Sequence, residues 1–523
     1  MKKVIRVFNG KEYEDRQISY IPTRYILSIL LAVLETVLTV AAMVLLIIYI
    51  PWLSYAEIAV QIVVAVVIIA SDENPDYKLP WILAVLILPV VGFMLYFLFH
   101  RRRVSKKYVK RASAVWETSP EHDDTEEFRA LKEKSPHAFS QARMLCLTSR
   151  THLYREEEAV HFSSAEEAFP VLLGDLREAE KFIFMEYFIL EEGIFWNSIL
   201  EVLEEKAKAG VEVRVIYDDI GSMMTLPGNY AGILKKKGIL CTPFSFLKPQ
   251  ATSEFNNRSH RKITVIDGRV VHTGGYNLAD EYINAVEKYG HWKDSGLRLE
   301  GACAQEFTKI LLYSYTTNVK EKNPDFMRYF SEETVSSAKK DGYLVPFTDG
   351  PEPFYPRRVG QSLIQSMFEC AVESVTVTTP YLITDNELMT SIENAALRGV
   401  KVRIITPHVP DKKIIFAMTR SSYARLMKAG VEIYEYKPGF LHQKTVLADR
   451  KTALVGTINF DYRSLVHHFE NGVWLYRCEC LKQLEEDQEN VLAESVRMEE
   501  SMIRRGPLQR IFCTVLKIFA PLM

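Results

Sequence analysis

The chain has 523 residues, of which 48% are hydrophobic and 25% are charged, and its formal net charge is −2. This length is too great for one ordinary core and predicts two or three domains. The balanced charge excludes the global basic excess of many nucleic-acid-binding proteins, so we expect no nucleic-acid partner. Seven cysteines are scattered without zinc-site spacing, which predicts reduced thiols.

The first 111 residues are predicted to form an α-helical transmembrane anchor. Apolar runs cover residues 25–50, 53–70 and 80–99. A helix needs roughly 20 apolar residues to cross a bilayer, so the first and third runs are long enough and the second is marginal. The basic run from Arg101 to Arg111 predicts a multi-pass protein of the cell membrane whose catalytic domains face the cytoplasm. The N-terminal flank is also basic, and basic flanks favour the cytoplasmic side. Three crossings would put the two flanks on opposite sides of the membrane, so the number of crossings stays open.

Beyond a polar segment at residues 112–154, predicted to be a linker, the chain repeats a strand, a helix and a strand. The repeated elements are residues 181–190, 199–209 and 211–217 in the first copy and 375–383, 388–398 and 400–406 in the second. Strands that alternate with helices predict a mostly parallel sheet. We therefore predict two similar α/β domains, at 155–330 and 331–500, that form a pseudo-dimer. The amphipathic tail, residues 501–523, could lie on the membrane surface or pack against the catalytic core.

Each predicted domain carries the pattern H-x-K-x4-D, followed by an asparagine and then an acid. The recurring residues are His260 and His442, Lys262 and Lys444, Asp267 and Asp449, Asn277 and Asn459, and the acids Asp294 and Glu470. At average composition the pattern arises by chance about once in ten thousand positions. Two copies at matching places of a repeat therefore indicate a shared chemical function.

These residue types fit chemistry on a phosphodiester. The lysines supply positive charge to the phosphate, and the asparagines add neutral donors to its oxygens. One histidine attacks phosphorus, while the other protonates the leaving alcohol and then deprotonates the incoming one. An acid on the far ring nitrogen fixes each tautomer, and Asp294 and Glu470 are the candidates for this role. Asp267 and Asp449 belong to the catalytic pattern, but we expect them to be more structural, for example in capping a turn.

No carboxylate cluster, HExxH motif or Cys/His set of a metal enzyme occurs in the sequence, and no glycine-rich nucleotide-binding motif occurs either. We therefore expect neither a metal nor another cofactor. Three further histidines, His408, His467 and His468, are expected to be ordinary surface or core residues.

The paired H-x-K-x4-D pattern with a downstream G-x-x-N resembles the phospholipase D superfamily, over residues from about 160 to 500. Glu186-Tyr187, the segment from Gly274 to Asn277 and Trp292-Lys293-Asp294 are similar to bacterial cardiolipin synthases, as is the membrane segment at 78–102. The resemblance implies two phospholipase D-like domains whose half-sites meet in one active centre. It also implies that His260 is the nucleophile and that His442 is the general acid and base.

The reaction that this resemblance implies joins two phosphatidylglycerols into cardiolipin and releases glycerol. Phosphatidylglycerol and anionic membrane lipids are then the expected partners. Three alternatives stay open: a phospholipase D that uses water, a nuclease or other phosphodiesterase of the superfamily, and a non-catalytic membrane scaffold. The membrane segment counts against a nuclease, and two intact half-sites count against a scaffold.

Overall fold

The computed structural model describes residues 2–8, 11–17, 19–50, 52–88, 91–99, 109–110, 112–113, 125–245, 257–319, 325–330, 340–352, 354–355, 357–503 and 506–522. These residues form an N-terminal helical region and two α/β domains. The basic run at 101–111 lies largely outside the described residues, so the orientation predicted from it stays a prediction.

The N-terminal region begins with a strand hairpin and continues with four apolar helices. Its elements are β1 (Lys2–Phe8), β2 (Lys11–Gln17), α1 (Thr23–Tyr49), α2 (Leu53–Ala70), α3 (Pro75–Ile87) and α4 (Val91–Phe99). Among the described residues, α1 is the one helix that is long and apolar enough to cross a membrane, over Thr23–Ala42. The shorter α2 is apolar over Ser54–Ala70.

The third apolar run is not one helix, so the prediction that residues 80–99 are long enough to span a membrane is wrong. The helix ends at Ile87 and a new one begins at Val91, on either side of Pro89, which lacks the N–H that a continuous helix needs. The two halves fold back on each other. A β-carbon at Gly92 would lie 1.9 Å from the Ala84 carbonyl oxygen, so this crossing requires glycine.

Part of the predicted linker is folded. After α5 (Glu126–Lys134) and α6 (Pro136–Ser149), the short strand β3 (Tyr154–Arg155) joins the sheet of the second domain. Leu131 and Leu145 are fully buried, and Gln141 Oε1 accepts a hydrogen bond of 3.0 Å from Trp474 Nε1. Although residues 112–154 are polar on average, the apolar residues of α5 and α6 are spaced to give each helix a buried face.

The first domain is built on a seven-stranded sheet with strand order β4-β11-β9-β8-β5-β6-β7. Its elements are β4 (Glu158–Phe162), α7 (Ala165–Glu178), β5 (Phe182–Tyr187), α8 (Ile194–Lys208), β6 (Glu212–Asp218), α9 (Tyr230–Lys236), β7 (Leu240–Phe244), β8 (Lys262–Ile266), β9 (Val270–Gly274), β10 (His291–Lys293), β11 (Gly296–Glu300) and α10 (Ala304–Val319). Gly210, with φ +95°, follows α8 in the left-handed conformation that glycine adopts without steric cost.

The second domain repeats this plan in a nine-stranded sheet with order β22-β16-β15-β13-β18-β19-β21-β12-β3. Its elements are β12 (Tyr343–Asp349), α11 (Val359–Cys370), β13 (Ser374–Thr378), β14 (Leu382–Ile383), α12 (Asn386–Leu397), β15 (Lys401–Pro407), α13 (Lys413–Lys428), β16 (Glu432–Tyr436), β17 (Gly439–Leu441), β18 (Thr445–Ala448), β19 (Thr452–Gly456), β20 (Phe460–Asp461), β21 (Glu470–Tyr476), α14 (Leu481–Ala493) and β22 (Ser495–Arg497). The chain ends in α15 (Pro507–Phe519), which packs beside α13 and α3.

Both sheets are mixed, so the prediction of mostly parallel sheets is wrong. The helix-connected strands β5, β6 and β7 are parallel, as are β13, β15 and β16. The other half of each sheet is antiparallel because its strands are joined by hairpins, such as β8 with β9 and β18 with β19. An apolar core runs from one sheet to the other, and β10 pairs with β17 across the two domains.

Candidate active site

The two histidine motifs lie where the two sheets meet. Strand β8 is central in its sheet between β5 and β9, and β18 is central between β13 and β19. Each histidine precedes its strand by two or three residues and is held by a segment of the other domain. The N–H of His260 donates to the Phe469 carbonyl (2.8 Å), and the N–H of His442 donates to the Lys293 carbonyl (2.7 Å).

Each histidine is paired with the acid of the opposite domain. Nδ1 of His260 lies 2.9 Å from Oε2 of Glu470, and Nδ1 of His442 lies 2.6 Å from Oδ2 of Asp294. All four side chains are buried. The acids occupy the orienting position that the sequence predicts, and the structure adds that the pairs are crossed between the domains.

Burial keeps both imidazoles neutral. It lowers the pKa of His260 to about 3, against the raising influence of Glu470, and lowers the pKa of His442 well below its usual value. With the Nδ1 proton donated to a carboxylate, Nε2 of a neutral ring carries a free lone pair. Such a nitrogen can attack phosphorus or accept a proton from an alcohol.

The two acids differ in their surroundings. Glu470 also accepts hydrogen bonds from the hydroxyls of Ser464 (2.6 Å) and Thr457. Burial alone raises the pKa of Glu470, but its contact and hydrogen bond with His260 lower the pKa overall. Burial raises the pKa of Asp294 to about 6, although Lys444 acts in the opposite direction. Glu470 therefore holds its negative charge more firmly than Asp294 does.

Lys262 and Lys444 provide buried positive charge. Nζ of Lys262 donates to the His260 carbonyl (2.6 Å), and Nζ of Lys444 donates to the carbonyl of His442. Burial lowers the pKa of Lys262 to about 7 and that of Lys444 to about 8, and the charge of Lys444 lowers the pKa of Lys262 further. The two buried ammonium groups together can form a receptor for a phosphate group.

The two asparagines are not equivalent. Asn277 is engaged at both ends, because its Oδ1 accepts the N–H of Ile189 (3.0 Å) and its Nδ2 donates to the hydroxyl of Tyr282 (2.6 Å). Asn459 is buried, and among the described residues its Oδ1 has no hydrogen-bond partner. The Oδ1 atom of Asn459 can therefore accept a hydrogen bond from a substrate hydroxyl, whereas Asn277 is already engaged at both ends.

Asp267 and Asp449 are not brought to the histidines. The Asp267 carboxylate accepts three backbone N–H groups of residues 180–182, each at 2.7 Å, and Asp449 accepts those of residues 372–374. In the register of β5 and β8, Ile266 pairs with Ile183 whereas Lys262 pairs with Tyr187. Asp267 therefore lies at the opposite end of the strand from the site. The role of Asp267 and Asp449 is therefore structural and not catalytic, in line with the expected capping role.

His468 is the residue that the sequence reasoning missed. The sequence predicts an ordinary surface or core residue at this position. The centroid of its buried ring, however, lies 5.6 Å from the centroid of the His260 ring. Its position two residues before Glu470 places both side chains on one face of an extended segment, which is the signal that could have identified it. Ligand atoms of His260, His468 and Glu470 lie within 4.8 Å of one another, so these residues could hold a metal ion. The expected independence from metals stays a prediction.

Comparison with known proteins agrees with this architecture. The family model described as "Cardiolipin synthase, PLD-like domain" matches residues 172–308 and 364–492, and "Phospholipase_D-nuclease N-terminal" matches residues 59–101. A protein of Alkalihalophilus pseudofirmus named cardiolipin synthase is 32% identical over 471 residues, which cover 88% of this chain and 92% of the relative. An uncharacterized protein of Streptococcus mutans is 37% identical over 449 residues, 85% of this chain and 96% of the relative.

Among solved structures, the chain is similar to the phosphatidylserine synthase of Haemophilus influenzae, with a TM-score of 0.55 and 16% identity. The match covers 73% of this chain and 98% of that one and shows a common fold. Fold and paired site together define a membrane-associated phosphatidyltransferase of the phospholipase D superfamily. Within that superfamily, the chain belongs to the cardiolipin synthase family.

Proposed function

We propose that this enzyme transfers a phosphatidyl group from one phosphatidylglycerol to another and so produces cardiolipin and glycerol. The observation that carries the proposal is the pair of crossed histidine–acid contacts beside two buried lysines. This arrangement offers Nε2 of His260 as a nucleophile, Nε2 of His442 for proton transfer and a receptor for one phosphodiester. The family supplies the class of reaction and the lipid nature of the substrate.

In the proposed first step, Nε2 of His260 attacks phosphorus and forms a P–N bond. Binding of the anionic phosphodiester favours the doubly protonated form of His442, whose Nδ1 faces Asp294. The P–O bond to the glycerol headgroup breaks, and the leaving oxygen takes the Nε2 proton of His442. In the second step, the primary hydroxyl of another phosphatidylglycerol gives its proton to His442 and attacks phosphorus, and the P–N bond breaks. One ester is exchanged for another, so the reaction needs no nucleotide and is nearly balanced.

The docking of the N-terminal helices supports a topology in which both basic flanks lie on the catalytic side. In the first turn of α1, the hydroxyl of Tyr25 donates to Asp219 of the first domain (2.7 Å). In the first turn of α3, Tyr77 packs against Tyr462 of the second domain, with ring centroids 5.4 Å apart. We propose that α1 and α2 cross the bilayer as a hairpin, and that α3 and α4, each too short to cross, enter it and return on the cytoplasmic side.

Labelled phosphatidylglycerol given to the purified enzyme tests the reaction. Cardiolipin and glycerol in equal amounts are expected, whereas phosphatidic acid as the main product would mean that the enzyme is a hydrolase. Acid-labile label is expected on His260 after rapid denaturation, and His442→Ala should slow its release. Label on His442 alone would exchange the two roles, and the absence of any adduct in active enzyme would contradict the covalent mechanism.

A further inference from the structure

The C-terminal helix α15 has one face against the protein and another that no described residue covers. On the inner face Cys513 is buried, and Nζ of Lys517 donates to the Ser421 carbonyl of α13 (3.3 Å). Just past the helix, the buried Ala520 packs in one apolar cluster with Tyr77 of α3. The helix is therefore fixed to the second domain and to the membrane anchor at the same time.

The outer face of α15 is a stripe of large apolar side chains. The exposed residues are Leu508 (82%), Ile511 (62%), Phe512 (51%), Val515 (48%) and Phe519 (42%). Their spacing of three and four residues places them on one side of the helix, whereas Arg510, Thr514 and Lys517 lie on the other. A fixed helix that exposes so much apolar surface implies a partner that covers it.

The position of the stripe identifies this partner. The first turns of α1 and α3 contact the catalytic domains through Tyr25 and Tyr77, and each helix continues away from the domains. The boundary between water and lipid therefore lies along this face of the molecule. Ala520 packs against Tyr77, which puts α15 at the same level.

The charge of the segment agrees with such a surface. From Ser501 to Met523 the sequence has four basic residues and no acidic one. An amphipathic helix with these features is suited to the surface of an anionic bilayer.

We infer that α15 lies in the membrane interface with its apolar stripe among the lipid acyl chains, and that its occupant is an anionic bilayer rather than a second copy of the chain. The tail also contacts the turn that precedes Glu470, because Nε2 of His467 lies 3.3 Å from the Pro521 carbonyl oxygen. The same turn contains Ser464, which donates to Glu470. Insertion of α15 thereby holds the site at the lipid surface. This inference rests on the membrane topology proposed above but not on the proposed reaction.

Photocrosslinking of the full chain in vesicles of phosphatidylglycerol tests the inference without a measurement of activity. The photoreactive residue p-benzoylphenylalanine replaces Phe512 or Val515 on the stripe, or Thr514 on the polar side as the matched control. Lipid adducts from the stripe should exceed those from position 514 by roughly tenfold, the factor that corresponds to about 1.4 kcal/mol. Ile511→Glu should reduce the adducts at position 515, whereas Thr514→Glu should not.

Protein–protein adducts between two copies at positions 512 and 515, in place of lipid adducts, would overturn the inference and identify a dimer interface. Equal lipid labelling at all three positions, or none at any, would also overturn it. Because the readout is the adduct itself, these outcomes are independent of whether the enzyme makes cardiolipin.

Discussion

At the scale of single residues, the crossed contacts of Glu470 and Asp294 give the sharpest prediction. Glu470→Gln keeps the shape of the side chain but cannot hold the Nδ1–H tautomer of His260 as an anion does. We expect kcat to fall by about 10²–10⁴-fold with little change in KM, and Asp294→Asn should act in the same way on His442. Steady-state kinetics on folded protein measure this. Unchanged kcat in both variants would rule out the orienting role.

The buried lysines predict how substrate binding depends on pH. Lys262 and Lys444, with pKa values of about 7 and about 8, are charged at lower pH and lose their protons as the pH rises through these values. Because the phosphate binds the form in which both lysines are charged, KM should increase by up to roughly tenfold per pH unit between the two pKa values and by up to roughly a hundredfold per unit above the higher one. Thermal melting at each pH controls for unfolding, and a flat KM in stable protein would contradict the prediction.

The cluster of His260, His468 and Glu470 makes metal dependence a question for experiment. We expect activity to survive thorough chelation, because Nδ1 of His260 is bonded to Glu470 and two lysines already supply the positive charge. The measurement is product formation after dialysis against a chelator. Loss of activity that one divalent ion restores would mean that the three residues hold a metal in the working enzyme.

At the scale of elements, Asp267 and Asp449 each fix the start of a central strand. Asp267 has φ +54°, a left-handed conformation that asparagine tolerates, so Asp267→Asn removes one carboxylate oxygen without forcing the backbone. We expect the free energy of unfolding to fall by about 1–3 kcal/mol. The activity of the folded fraction should stay near that of the wild type, as seen by parallel denaturation and kinetics. A large loss of kcat in folded Asp267→Asn would return this residue to the catalytic group.

At the scale of the whole molecule, the hairpin of α1 and α2 predicts where the chain is reached from outside the cell. Trp52, at the turn between these helices, is 65% exposed, and Ile21, before α1, is 75% exposed. With the partly exposed native cysteines replaced by serine, Trp52→Cys should react with an impermeant thiol reagent on intact cells. Ile21→Cys should react only after permeabilisation. Labelling of both positions from the same side would exclude the hairpin.

The sequence by itself determined the repeat, the two H-x-K-x4-D motifs and the lipid-modifying family, because these depend on residue types and spacings that chemistry fixes locally. The tertiary structure decided what depends on contacts between distant segments. Glu470 serves His260, 210 residues away, and Asp294 serves His442, 148 residues away, because the two sheets meet where both motifs lie. It likewise decided that His468 is buried beside His260 and that Asp267 fixes a strand, since both contacts join segments that are far apart in the sequence.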